Sequence, residues 1–210
     1  MIERGLATED EVIAEFLRAE IDSTQQVGAW IVQCLNRHGR DRGLIDSPNL
    51  ANADDNAIRK NILDCTRGYA SRTALFQGFP LDASWRRVTL ETSDLQAMRY
   101  INDDLADRHW MNLSEGTRLI ADGARNFCKR LAVPTTAHDA FTEAIQPITF
   151  IAAALRSGKR LPDLIAAEAS DRSLVIIEGR KRATAYVIER IHRFEAFVAS
   201  SSCLPKWFFY

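Results

Sequence analysis

The feature that most constrains this chain is the run Leu174-Val175-Ile176-Ile177, which ends in Glu178-Gly179 and leads at once into Arg180-Lys181-Arg182-Ala183-Thr184. A continuous apolar, β-branched run of this length reads as a strand covered on both faces. Gly179 breaks it. From Arg180 to about Arg193, the residues Ala183, Val187 and Ile191 form one stripe of an amphipathic helix, and Phe194 to Val198 returns as a strand. Leu161 to Ala167 reads as a further strand, with Pro162 at its start where a missing N–H is tolerated, and Asp171-Arg172-Ser173 as the turn after it. Strands interleaved with a helix in this order call for a sheet with helices packed against it.

The remainder is mostly helical in pattern. Thr8-Glu9-Asp10-Glu11 has the spacing of a capping box, and Val12, Ile13, Phe16, Leu17 and Ile21 follow at a helical period. Asp22-Ser23-Thr24 breaks or bends that helix, and the period resumes at Val27, Trp30, Ile31 and Leu35. Residues 36–50 are polar, with Gly39, Gly43 and Pro48, and read as a loop. A helix fits Asp54 to about Arg67, with Gly68 as its stop. Trp85 to Leu90 alternates like a strand, and Thr92-Ser93-Asp94 caps a short helix. Leu113 to Leu131 reads as one helix closed by Pro134; Ala140 to Ile145 starts another, and Pro147 kinks it or opens a new one. The expected fold class is α+β, helix-rich, with a helical region over residues 1–83.

Composition narrows the function classes. Lys and Arg number 27 against 28 Asp and Glu, a formal charge of −1. Such a balance argues against coating nucleic acid through overall charge and leaves only a local basic patch for that role. Cys34, Cys65, Cys128 and Cys203 lie far apart, without the paired spacing of a metal site or disulfide framework, and point to a reduced, cytoplasmic setting. The start of the chain, Met1-Ile2-Glu3-Arg4, lacks an apolar leader core. No apolar run approaches the roughly 18 residues needed to span a bilayer.

The junction at Gly179 carries the chemistry. The first N–H groups of a helix have no internal partner, and together with the helix dipole they favour an anion. Glycine lets the backbone turn sharply and approach a ligand closely. Three cations follow, where acidic residues are ordinarily preferred. A phosphate seated among Gly179, Arg180, Lys181, Arg182 and Thr184 removes that conflict, with Arg182 as a bidentate fork and Lys181 as a point charge. Glu178 is then placed to pair with a cation, meet a ribose hydroxyl or hold Mg2+. The bland alternative is a solvated basic helix start paired with nearby carboxylates.

With Leu161-Pro162-Asp163-Leu164-Ile165 before it, the stretch from Leu174 to Tyr186 resembles the ParB/sulfiredoxin-like superfamily, in which a strand ends in Gly-x-x-Arg and a helix with an early alanine follows. Gly179 and Arg182 match that glycine and arginine, and Trp85 to Leu90 with the helix after it resembles the family's opening strand and helix, so the resemblance implies a small mixed sheet core over residues 84–210 with a helical insertion at about 105–157. The resemblance implies a turn that grips nucleotide phosphates, with ATP or CTP and Mg2+ as ligand. It further implies a phosphotransferase or nucleotide hydrolase in which Glu178 and Arg182 take catalytic parts. The position of sulfiredoxin's nucleophilic cysteine is Arg180 here, so sulfinic acid reduction by that route is not implied.

Other readings stand beside these. Ser114, Thr117 and Arg118 form a hydroxyl-rich turn able to donate to phosphate; alternatively Ser114 caps a helix with Glu115 in its first turn. Trp110, Tyr100 and Trp207 fit a core better than a base-stacking platform. His109 is a candidate general base or a surface histidine, and Arg37, His38, Arg40 and Arg42 form a solvated basic loop. Cys128 and Cys203 fit buried thiols better than nucleophiles. Two non-catalytic alternatives remain open: a protein-interaction module using the N-terminal helices, and a DNA-associated factor or nuclease.

Overall fold

The computed structural model describes residues 1–23, 26–102, 109–132 and 146–210. It is α+β. Five strands, β1 (Ile2–Ala7), β2 (Ser84–Glu91), β3 (Leu164–Glu168), β4 (Leu174–Glu178) and β5 (Arg193–Ser200), form one mixed sheet in the order β1-β2-β5-β3-β4. Only β3 and β5 run parallel; the other three pairings are antiparallel. Among the described residues there are nine helices: α1 (Glu9–Glu20), α2 (Gln26–Arg37), α3 (Gly43–Asp46), α4 (Ala53–Arg67), α5 (Thr92–Ala97), α6 (His109–Leu113), α7 (Ile120–Leu131), α8 (Pro147–Arg156) and α9 (Arg180–Ile188).

The strands bury both faces because their side chains alternate. Val175, Ile177, Phe197 and Ala199 join one apolar cluster with Phe16 and Leu17 of α1, Ile31 of α2 and Ile62 and Leu63 of α4. Leu174, Ile176, Ala196 and Val198 join the other, with Trp110, Phe127, Ile148 and Ala183 from α6, α7, α8 and α9. The helical N-terminal residues therefore share a core with the sheet. Trp207 closes the first cluster, its indole N–H donating to the Leu75 carbonyl at 2.8 Å.

Several boundaries differ from expectation. Strand β1 has no apolar alternation, because it is an edge strand whose side chains are mostly exposed and whose backbone, bulged between Glu3 and Gly5, is held by β2. The polar stretch 36–50 contains the short helix α3, pinned by the buried Arg59, which donates to the carbonyls of Leu44 and Asn49. The single helix expected over Leu113 to Leu131 is two. Glu115, Gly116 and Arg118 take positive φ values of 52°, 84° and 62°, which no α-helix accommodates, so α6 ends at Leu113 and α7 starts at Ile120. Ser114 accordingly ends one helix instead of capping the next. Arg190, at φ 53°, stops α9 before Arg193. Pro147 opens α8 as its first residue; the helix expected over Ala140 to Ile145 lies outside the described residues.

The free edge of β4 is covered. Arg99 donates its N–H to the Leu174 carbonyl at 2.7 Å and accepts from Ile176 N–H at 2.8 Å, and Tyr100 N–H reaches the Arg118 carbonyl at 2.7 Å. This ties the 114–119 turn to the strand that leads into α9.

Candidate functional site

Strand β4 delivers Glu178 to the end of the sheet, opposite Ile165 at the start of β3. Gly179 then turns the chain in one residue, at φ 98°, and α9 begins at Arg180 with no side-chain cap and no acid in its first turn. Glycine is needed twice over. The conformation is left-handed, and a Cβ there would lie 2.5 Å from Leu164 Cδ2 and 2.8 Å from Arg182 Nη2. The space a side chain would fill above the turn is thus occupied by Arg182 and Leu164, which restricts how closely a ligand approaches Gly179 itself.

Arg182 is only 6% exposed and folds back over the turn, its Nη2 3.3 Å from Glu178 Oε1. Its Nε is buried without a hydrogen-bond partner among the described residues. Arg180 lies half-buried with its guanidinium 5.6 Å from the centre of the Trp110 ring, a cation–π contact. Lys181 is also half-buried; burial and the adjacent Arg180 push its ammonium down, with Glu178 and Glu20 opposing.

Two residues from the helical region complete this cluster. Glu20, at the end of α1, is buried and accepts from Arg67 of α4, Nη2 to Oε2 at 2.6 Å. Burial, then the negative charge of Glu178, push the Glu20 carboxyl up to about 8, against the pull of Arg67. Burial works to raise Glu178 as well. There it is outweighed by Arg182, a hydrogen bond from Glu20, and the charges of Arg180 and Arg67, which together hold the carboxyl below its usual range. The two acids behave as a carboxyl–carboxylate pair sharing one proton, with Glu20 holding it. Neither Glu20 nor Arg67 has a local motif around it. The one sequence signal is Glu20's place on the apolar stripe of α1 with Ile13, Phe16 and Leu17, where a charge is out of register with a buried face.

The remaining expected phosphate ligands are engaged elsewhere. Thr184 is fully buried; its Oγ1 donates to the Arg180 carbonyl at 2.8 Å and lies 2.7 Å from the Tyr100 hydroxyl. Ser114 is fully buried, donating to the Trp110 carbonyl at 2.8 Å and accepting from Arg118 N–H at 3.0 Å. Thr117 donates to the Ser114 carbonyl at 2.9 Å and lies 2.8 Å from Asp122 Oδ2. Arg118 donates to the carbonyls of Tyr100 and Tyr210 at 3.0 and 3.2 Å. These four side chains build the wall behind Trp110 and Tyr100, whose rings sit 4.8 Å apart, and Trp110 in turn carries Arg180.

The other candidates separate from this site. Arg40 pairs with Asp55 at 2.9 Å, Arg42 with Asp22 and Asp46 at 2.7 Å each, and His38 Nε2 lies 3.2 Å from Asn61 Oδ1, so that basic loop is matched by its own acids. His109 opens α6. Cys128 is exposed and Cys203 half-exposed, contrary to their reading as buried thiols: α7 turns Phe127 inward and so Cys128 outward. No cluster of three metal-ligating side chains occurs among the described residues, and no helix there is long and apolar enough to cross a membrane. Compared with known proteins, the chain matches no family model, no curated sequence and no solved structure.

Proposed function

We propose that this chain binds a phosphate-bearing ligand, a nucleotide such as ATP or CTP with its Mg2+, at the start of α9. The observation that carries the reading is an excess of positive charge where a helix dipole already favours an anion. Lys181, Arg182 and Arg67 meet two acids, Glu178 and Glu20, of which one keeps its proton at neutral pH. A phosphate supplies the missing negative charge. The resemblance to the ParB/sulfiredoxin-like superfamily supports the same ligand class, and phosphoryl transfer or nucleotide hydrolysis is the reaction class such a seat serves.

Roles divide by burial. Arg182 and Glu178 fix the turn, since each is the other's partner inside the protein. Arg180 and Lys181, half-buried at the helix start, meet the phosphates, and Lys181 gains most because an anion restores the charge that burial disfavours.

A thermal-shift screen with ATP, CTP, GTP and their diphosphates, with and without Mg2+, tests this. A ligand at about 100 times its Kd adds roughly 2.7 kcal/mol of apparent stability. The expected result is a shift with at least one nucleotide that Arg180→Ala and Lys181→Ala each reduce, measured from each variant's own ligand-free midpoint. The absence of a shift with every nucleotide overturns the proposal.

A further inference from the structure

A cleft of about 420 Å3 opens at the end of the sheet where β3 and β5 begin. This is the volume of a small-molecule site. Its floor is apolar: Tyr186 of α9 and Phe194 of β5, ring centres 5.2 Å apart, with Leu155, Leu161 and Ile191 around them. Four cations line it, Arg4, Lys159, Arg160 and Arg193, against two acids, Asp163 and Glu195, of which Glu195 accepts from Thr89 Oγ1 at 2.8 Å.

The cleft holds polar groups that the protein leaves unused. Tyr186 is only 6% exposed, yet its hydroxyl makes no hydrogen bond with any described residue. Asp163, half-buried beside it, has a carboxylate without hydrogen bond or ion pair among the described residues, and burial with Glu15's charge pushes that carboxyl up. Lys159 and Arg160 form no salt bridge among the described residues; the charge of Arg160 steadies the Asp163 carboxylate and that of Lys159 the Asp22 carboxylate. By contrast, Arg4 donates to Thr89 Oγ1 at 2.7 Å and Arg193 lies 3.5 Å from Glu91. Two cations, one carboxylate and one hydroxyl therefore converge on one side of the cleft beside an aromatic floor.

We propose that this cleft is a binding site for a small organic anion. Its carboxylate or phosphate head sits between Lys159 and Arg160, its flat or aliphatic body lies on Tyr186 and Phe194, and a hydroxyl or amine on that body meets Asp163. The site is separate from the seat proposed at the start of α9 and does not depend on it.

Amide-resolved NMR titration with phenyl phosphate, benzoate and inorganic phosphate, each to roughly 10 mM, distinguishes the two sites and the two head groups. Phenyl phosphate or benzoate is expected to give saturable shifts confined to amides of 159–161, 163, 186 and 193–195. Inorganic phosphate is expected to bind there at least about tenfold more weakly, lacking the body. Arg160→Ala, an exposed change that leaves the fold intact, is expected to weaken binding about tenfold, since a charge-assisted hydrogen bond is lost. Tyr186→Phe is expected to weaken only a ligand that uses the hydroxyl. The proposal is overturned if no saturable shifts appear in those amides, if inorganic phosphate binds there as tightly as phenyl phosphate, or if Arg160→Ala binds unchanged. Shifts confined to residues 180–182 also overturn it while leaving the α9 seat standing.

Discussion

Glu20 shows how one residue couples the helical layer to the site. Its carboxyl is raised to about 8 in the folded chain, above its ordinary value of 4.5. The folded state therefore holds a proton that the unfolded state releases, and stability falls as pH rises between those two values. Glu178, held below its usual range, acts oppositely: its contribution is present at neutral pH and is lost only as pH falls through its lowered value. Glu20→Gln mimics the protonated acid. Urea denaturation from pH 5 to 9 is expected to show the variant gaining on the wild type by up to a few kcal/mol as pH rises, with the difference levelling off above about pH 8. A difference that does not change with pH would remove the shared proton from this account.

At the scale of elements, what was legible in the sequence was local. The capping box at Thr8 is present in full: Thr8 Oγ1 accepts from Glu11 N–H at 3.2 Å and Thr8 N–H donates to Glu11 Oε2 at 2.7 Å. Gly68 ends α4 at φ 73°. The strand from Leu174, the glycine and the start of the helix at Arg180 stand where the sequence pattern puts them, because each signal lies within a few residues. Edge strand β1 and the 114–119 turn were not legible. The first is defined by its pairing with β2, about 80 residues away. The second depends on three left-handed residues, two of which are not glycine. The same division holds for the site: the Gly179 junction reads locally, whereas Glu20 and Arg67 arrive only through packing. Thr8→Ala is expected to cost about 1 kcal/mol, read from thermal or urea unfolding at neutral pH. No loss would mean that the box adds nothing beyond the packing of α1.

Over the whole molecule, the sheet is a septum between two apolar layers, and its end gathers charge from both. From the layer of α1 and α4 come Glu20 and Arg67; from the opposite layer comes Trp110, which carries Arg180. Burying Glu20 and Arg182, with Glu178 and Lys181 half-buried beside them, is costly for a fold that serves only itself. We propose that a negatively charged guest offsets that cost. Isothermal titration of ATP and of CTP with Mg2+, into wild type and into Arg180→Ala/Lys181→Ala, tests this most directly. Saturable binding by the wild type that weakens at least about tenfold in the double variant is the predicted result. No heat of binding to the wild type, or equal affinity in both proteins, would contradict it.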